Sequence, residues 1–166
     1  MTLLDAPTFD AARDRRNQTI LWSAVGLLVL LFIGSWFIAG MPVDWPWNWW
    51  THFRGRMIAN HFLDAVEQND MAKAYGIWQH DPDWQQHPNQ HSAYPYDRFQ
   101  QDWSPNSSTN DYGAIKSHKV LAARISGNVL ILGIRVNGLK SNTLFLAYDP
   151  AEHALSFSPV QLYLGP

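Results

Sequence analysis

Residues 62–78 read FLDAVEQNDMAKAYGIW. Together with the residues before it, this stretch carries apolar side chains at spacings of three and four, which predicts amphipathic helices that bury one face. Asn69 and Asp70 interrupt the pattern, because Asn is a frequent stop and Asp is a good N-cap. We therefore expect a pair of helices over residues 52–68 and 71–78.

Beyond this helical pair the sequence becomes polar. Residues 79–93 are rich in His, Gln, Asp and Pro and are predicted to form a loop. A short third helix is expected over 94–103, with Tyr96, Phe99 and Trp103 facing inward.

The last part of the chain has a different period. From Leu121 onward apolar residues alternate, and the runs are separated by turn signals such as Asn137-Gly138. This predicts an antiparallel sheet of about four strands, the last opening at Leu155 and extending to Leu164. Helices first and strands afterwards, without alternation, indicate an α+β domain over residues 54–166.

On the other side of the helical pair lies a long apolar run. Residues 19–40 read TILWSAVGLLVLLFIGSWFIAG, without a charged side chain. As a helix this run spans about 33 Å, which is enough for a hydrocarbon core of about 30 Å. A cleaved signal peptide is the alternative, but its apolar region usually has only about 7–15 residues. We expect an uncleaved transmembrane helix.

The two flanks of the run carry residue types that favour membrane interfaces. Arg13, Arg15 and Arg16 precede it, which favours a cytoplasmic segment at 1–18 and a C-terminal domain that is periplasmic or extracellular, in a bacterial inner membrane. Residues 41–53 are predicted to be an interfacial linker whose indole rings lie at headgroup depth. Those rings belong to Trp45, Trp47, Trp49 and Trp50. A platform for a sugar or a protein partner is the other interpretation.

Composition excludes several classes of function. The formal net charge of −2 gives no basic field for nucleic acid, so no nucleic-acid partner is expected. The chain has no cysteine, which excludes disulfides, thiolate metal sites and cysteine nucleophiles.

The helical pair resembles the opening of NTF2-like (cystatin-like α+β) domains, in which a pattern FLxAlxxgDyxxAyxlw leads into a third helix and a curved antiparallel sheet. Residues 96–99, YDRF, and 102–103, DW, resemble the third-helix part of that pattern. The sequence departs from the family in its polar insertion at 79–93. It also has DPAEH at 149–153 where a DG-x-W ending is usual.

The resemblance implies a cone between helices and sheet, which serves as an active site in some members and as a binding or dimerisation surface in others. The side chains expected to line such a cone are Tyr75, Trp78, Tyr96, Phe99 and Trp103. Tyr75, Tyr96, Asp97 and Asp102 have chemistry suited to acid–base catalysis. They match no catalytic motif, so we expect no catalytic residue and no cofactor.

Three histidines in the polar loop are candidates for metal ligands. His80, His87 and His91 lie near Asp81, and His87 and His91 have the i, i+4 spacing that allows two imidazoles to share a metal on a helix. Pro88 lies between that pair, and the loop lacks the rigid scaffold that a metal site needs. A solvated polar loop is therefore the favoured interpretation.

From these features we expect a single-pass accessory or assembly subunit of a larger membrane complex, without catalytic activity. Its partners would be the lipid bilayer, other membrane proteins and, as a further option, a second copy in a homodimer. The alternative is a membrane-tethered domain that binds a small molecule, or a cone-site enzyme.

Overall fold

A computed structural model describes residues 10–87, 89–108, 110–139 and 143–162. The chain divides into two compact units, a helical one that ends at Ile38 and an α+β one that begins at Ala39.

The first unit is the helix α1, Ala11–Ile38, of 28 residues. The Asp10 carboxylate caps its start by accepting a hydrogen bond from the backbone N–H of Ala12 at 3.0 Å. Gly40 then adopts a φ of 85°, a left-handed conformation typical of residues that follow a helix. The helix is long and apolar enough to cross a membrane, and none of its side chains is buried.

The second unit opens with the predicted helical pair, α2 at Trp49–Glu67 and α3 at Met71–Trp78. Asn69 has a φ of 57°, and the Asp70 carboxylate accepts a hydrogen bond from the backbone N–H of Lys73 at 3.1 Å. These are the stop and the N-cap that the sequence predicts. Helix α2 begins at Trp49, so its first turn occupies part of residues 41–53, the segment predicted to be an interfacial linker.

The third predicted helix is α4, Tyr96–Trp103, which begins directly after Pro95. Between α3 and α4 the described residues form turns and one short 3-10 helix, Trp84–Gln86.

Four antiparallel strands follow and pair in chain order. They are β1 at His118–Ser126, β2 at Val129–Val136, β3 at Thr143–Tyr148 and β4 at Leu155–Phe157. A bulge between Val120 and Ala122 shifts the β1–β2 register and curves the sheet. The α+β prediction, with helices packed on a curved four-stranded antiparallel sheet, is confirmed.

The turn after β2 uses the residues that the sequence marks. Asn137 and Gly138 have φ values of 53° and 70°, the positive values that a type I′ turn needs at both central positions. The Asn137 side chain also accepts from the Lys116 backbone N–H and donates to the Ala114 carbonyl, both at 2.8 Å. The turn therefore also fixes the chain that enters β1.

The predicted length of the last strand is wrong. The strand ends at Phe157, where the backbone N–H of Ser158 still donates to the Phe145 carbonyl at 3.1 Å. Pro159 has no N–H to donate to the strand ladder. The Ser158 hydroxyl instead donates a hydrogen bond to the Val160 carbonyl, two residues further on, at 2.6 Å. Leu164, the predicted end, lies outside the described residues.

The core lies between the helices and one face of the sheet. Helix α2 approaches closest at Gly55, where a Cβ atom would come within 2.5 Å of Leu130 and 2.9 Å of Tyr148. The buried strand residues that face the helices are Leu130, Leu132, Ile134, Val136, Leu144, Leu146, Tyr148 and Leu155.

Candidate functional site

Most of the side chains expected to line a cone are instead packed against one another. Tyr75, Trp78, Phe99 and Trp103 are each at most 4 % exposed and belong to the hydrophobic core. Phe62 lies among them, with its ring centroid 4.8 Å from that of Trp103 and 5.2 Å from that of Trp78. These rings fill the part of the core that lies between the helices and the sheet.

Tyr96, the fifth of these residues, is only half-buried. Its ring lies 4.5 Å from that of Trp84, a residue of the polar loop. Its hydroxyl accepts a hydrogen bond from the Gln100 side chain at 3.1 Å. Tyr96 therefore joins α4 to the loop at the surface.

Tyr94, Arg98 and Asp102 form a hydrogen-bonded group at one end of this aromatic cluster. The Tyr94 hydroxyl and Arg98 Nε both donate to Asp102 Oδ2, at 3.0 and 3.2 Å. Burial raises the pKa of Tyr94, and the hydrogen bond to Asp102 raises it further, so the phenol stays neutral at physiological pH. Asp102 was predicted to have chemistry suited to acid–base catalysis, but its partner Tyr94 was not. A cleft of about 230 Å³ adjoins Asp102 and Arg98.

Two of the three candidate metal ligands come together on one carboxylate. His87 Nδ1 and His91 Nε2 lie 3.0 and 2.9 Å from Asp81 Oδ2. The hydrogen bond with His91 is the main cause that lowers the pKa of Asp81. Each imidazole uses one ring N–H for this contact, and its second ring nitrogen, Nε2 of His87 or Nδ1 of His91, takes no part in it. His80 lies elsewhere, with its ring 5.2 Å from that of His153.

A different histidine meets two carboxylates. The ligand atoms of Asp64, Glu67 and His118 lie within 4.8 Å of one another, a spacing that could hold a metal ion. His118 Nδ1 is 2.6 Å from Glu67 Oε1, and its Nε2 is 3.2 Å from the Asn60 side-chain oxygen. Both ring nitrogens are thus already engaged, and the cluster joins β1 to α2. No local sequence pattern connects residues so far apart.

The tryptophans expected at a membrane interface differ in their surroundings. Trp45 and Trp47 stack with ring planes 1° apart and centroids separated by 5.1 Å, and both are exposed, as is Trp50. Trp49 is half-buried and donates from Nε1 to the Asp44 carbonyl at 3.0 Å. The exposed rings of Trp45, Trp47 and Trp50 form what we call the tryptophan surface.

Asp44 also holds the start of α2 through a buried histidine. His52 is 1 % exposed, and its Nε2 lies 2.6 Å from Asp44 Oδ2. Burial lowers the pKa of His52, and the hydrogen bond to Asp44 partly opposes that shift. The tryptophan surface is therefore fixed to α2 by Asp44, through His52 and Trp49.

A groove of about 600 Å³ is lined by α2, α3 and the loop that follows α3. We call it the α2–α3 groove. Its floor is apolar, with Met57 and Ile58 from α2 and Ile77 from α3. The remaining lining residues are Arg54, His61, Ala72, Lys73, Gly76, His80, Pro82, Trp84 and Gln85.

One wall of this groove is the polar loop, and several contacts hold it in place. Trp84 Nε1 donates to the Ala72 carbonyl at 3.1 Å, and the Trp84 ring packs edge-on against Tyr75 at 4.9 Å. Gly76 allows the loop to come close, because a Cβ atom there would lie 3.1 Å from the Asp81 carbonyl. The histidine pair on Asp81 closes the same loop from its other end. These contacts hold the loop that forms this wall against α3.

The charge of the groove has one sign. Arg54, His61, Lys73 and His80 line it, and no acidic residue does so among the residues that the structure describes. Within the same ranges, neither Arg54 nor Lys73 forms an ion pair with a carboxylate. The groove can therefore offer two unpaired cationic groups above an apolar floor.

This groove was not predicted from the sequence, although the residues of α2 carry a signal for it. Arg54, Met57, Ile58 and His61 recur at spacings of three and four, so they share one helix face. Met57 and Ile58 continue the apolar spacing that predicts a buried face of α2, but Met57 is 37 % exposed and Ile58 is half-buried. The groove residues on α3, such as Lys73 and Ile77, are brought to this face of α2 only by the packing of the two helices.

Comparison of the chain with family profiles, with curated proteins and with solved structures found no match.

Proposed function

We propose that this chain is a single-pass, membrane-anchored accessory subunit of a larger membrane complex and has no catalytic activity. The observation that carries the proposal is α1, a helix of 28 residues with no buried side chain, placed ahead of a folded α+β unit. In lipid a helix satisfies its own backbone groups, so α1 suits a bilayer better than water.

We further propose that the α+β unit is an NTF2-like domain. Two helices, a third helix and a curved antiparallel sheet occur in the order that the sequence pattern FLDAVEQNDMAKAYGIW implies. This order supports the family assignment at the level of architecture.

The close packing of side chains in the cone favours a docking role over a catalytic one. An active site in the cone would need space beside Tyr75, Trp78 and Phe99, but these side chains are buried against their neighbours. The features left for recognition lie on the outside of the domain. They are the tryptophan surface and the α2–α3 groove.

The orientation follows from charge. Arg13, Arg15 and Arg16 lie in the first turns of α1, ahead of its apolar part. Basic residues are retained on the cytoplasmic side, so the α+β unit would lie in the periplasm or outside the cell.

A second candidate function is a membrane-tethered domain that binds a small molecule. The observation that favours it is the α2–α3 groove, whose volume of about 600 Å³ falls within the usual range of ligand sites.

The accessory-subunit proposal is tested by isolating the tagged full-length chain from native membranes in mild detergent and identifying what accompanies it by mass spectrometry. We expect a defined set of membrane proteins at near-fixed stoichiometry. A matched chain in which residues 19–38 are replaced by an unrelated transmembrane helix separates docking through α1 from docking through the α+β unit. A clean monomer or homodimer would contradict the proposal.

A further inference from the structure

We infer that the α2–α3 groove binds the headgroup of an anionic phospholipid from the bilayer in which α1 lies. The inference rests on the anchoring part of the proposed function and names the ligand class of one of its two recognition surfaces.

The first argument is charge. Arg54 stands on α2 and Lys73 on α3, and both line the same groove without an ion-pair partner among the described residues. His61 and His80 add N–H or N⁺–H donors to the same lining. Two cations facing one cavity favour an anion between them, and phosphate oxygens accept hydrogen bonds from Arg and Lys.

The second argument is the apolar floor. A free inorganic anion gains nothing from Met57, Ile58 and Ile77, whereas the glycerol backbone and first methylene groups of a lipid would cover them. Burying apolar surface contributes about 25 cal/mol per Å², so an amphiphile is favoured over a simple ion. The partly exposed Met57 is a flexible side chain that adapts to such a chain.

The third argument is position. Arg54 follows Trp50 by one helical turn, and its guanidinium carbon lies 6.0 Å from the centre of the Trp50 ring. Trp50 belongs to the tryptophan surface, and exposed tryptophans lie at headgroup depth in membrane proteins. The Arg54 end of the groove is therefore continuous with the part of the domain best suited to meet headgroups.

The test titrates the full-length chain, purified in non-ionic detergent, with short-chain dihexanoyl-phosphatidylglycerol and follows thermal unfolding. Matched titrations use dihexanoyl-phosphatidylcholine, glycerol 1-phosphate and inorganic phosphate. We expect the anionic lipid to raise the unfolding temperature in a saturable way. The zwitterionic lipid and the two water-soluble phosphates should have little effect at the same concentrations.

The variants Arg54→Gln and Lys73→Gln should each weaken the apparent affinity about fivefold, which corresponds to the ~1 kcal/mol that one basic residue contributes near anionic lipid. Met57→Gln should also weaken it, because the change removes part of the apolar floor. Lys119→Gln is the matched control, since Lys119 is an exposed cation on β1 outside the groove lining. Its affinity should equal that of the parent chain.

Two results would overturn the inference. Equal stabilisation by inorganic phosphate would make the groove a site for a free anion, and an Arg54→Gln/Lys73→Gln chain that binds lipid like the parent would place binding elsewhere. The titration contains no native membrane and no partner, so its failure would leave the accessory-subunit proposal standing. Conversely, a chain that brings no partner from native membranes would leave the lipid titration unchanged.

Discussion

Replacing Phe62 with Ala is expected to lower the free energy of unfolding of the α+β unit by about 3–5 kcal/mol. Phe62 is fully buried on α2, and its ring contacts those of Trp78, Phe99 and Trp103 at centroid distances of 5.2, 6.2 and 4.8 Å. Truncation removes the transfer free energy of the ring and leaves a cavity that the three surrounding rings cannot close. It also removes edge-to-face contacts that add about 0.5–1.5 kcal/mol per pair.

The measurement is thermal unfolding of the full-length chain in detergent, followed by near-UV circular dichroism. A loss of this size corresponds to a decrease of about 10–20 °C in the unfolding temperature for a unit of this length. Phe62→Leu is the matched control, because it keeps most of the volume and should cost much less. If the two variants unfolded at the same temperature as the parent chain, the packed aromatic core described above would be wrong.

The second large effect is expected in α1. Replacing Leu28 and Leu31 together with Lys places two charges near the middle of the apolar run, at a cost of about 2.5–3.5 kcal/mol each on insertion scales. Both leucines are exposed, at 65 % and 61 %, so the substitution disturbs no packing of the folded chain. The double variant should therefore lose its stable insertion.

The readout is the fraction of chain that stays in the membrane pellet after an alkaline carbonate wash. The parent chain should stay in the pellet, whereas most of the Leu28→Lys/Leu31→Lys chain should be released. A Leu28→Val/Leu31→Val chain keeps the apolar character and should behave like the parent. Equal retention of the charged and uncharged variants would mean that α1 does not hold the protein in the bilayer.

The parts of the fold that sequence predicted are those governed by local rules. The stop at Asn69 and the N-cap at Asp70 place α3 at Met71–Trp78, because a left-handed residue and a capping carboxylate act within a few residues. The turn at Asn137-Gly138 follows for the same reason.

Elements that depend on distant contacts were predicted less well. Helix α2 begins at Trp49 because Asp44 reaches forward to Trp49 and His52, a contact that no periodicity reports. The last strand stops at Phe157 because the chain turns at Ser158 and Pro159.

The candidate site depends on tertiary packing even more strongly. The groove needs Arg54 and Lys73, which lie on different helices, to face the same cavity. The pairing of Tyr94 with Asp102 likewise joins the end of the polar loop to α4. Sequence spacing identifies which residues share a helix face, but the packing of α2 against α3 decides which faces meet.

In the proposed topology α1 crosses the membrane, and the α+β unit lies on the side opposite the N-terminus. Because the chain has no cysteine, one introduced cysteine gives a unique label site. Ala12 is exposed near the start of α1, and Ser126 is exposed at the end of β1. We would make Ala12→Cys and Ser126→Cys chains and treat intact native cells with a maleimide that does not cross the inner membrane.

We expect Ser126→Cys to be labelled in intact cells and Ala12→Cys to be labelled only after the membrane is permeabilised. Labelling of both positions, or of neither, in intact cells would contradict a membrane-spanning α1. The reverse pattern would keep the anchor and contradict the orientation.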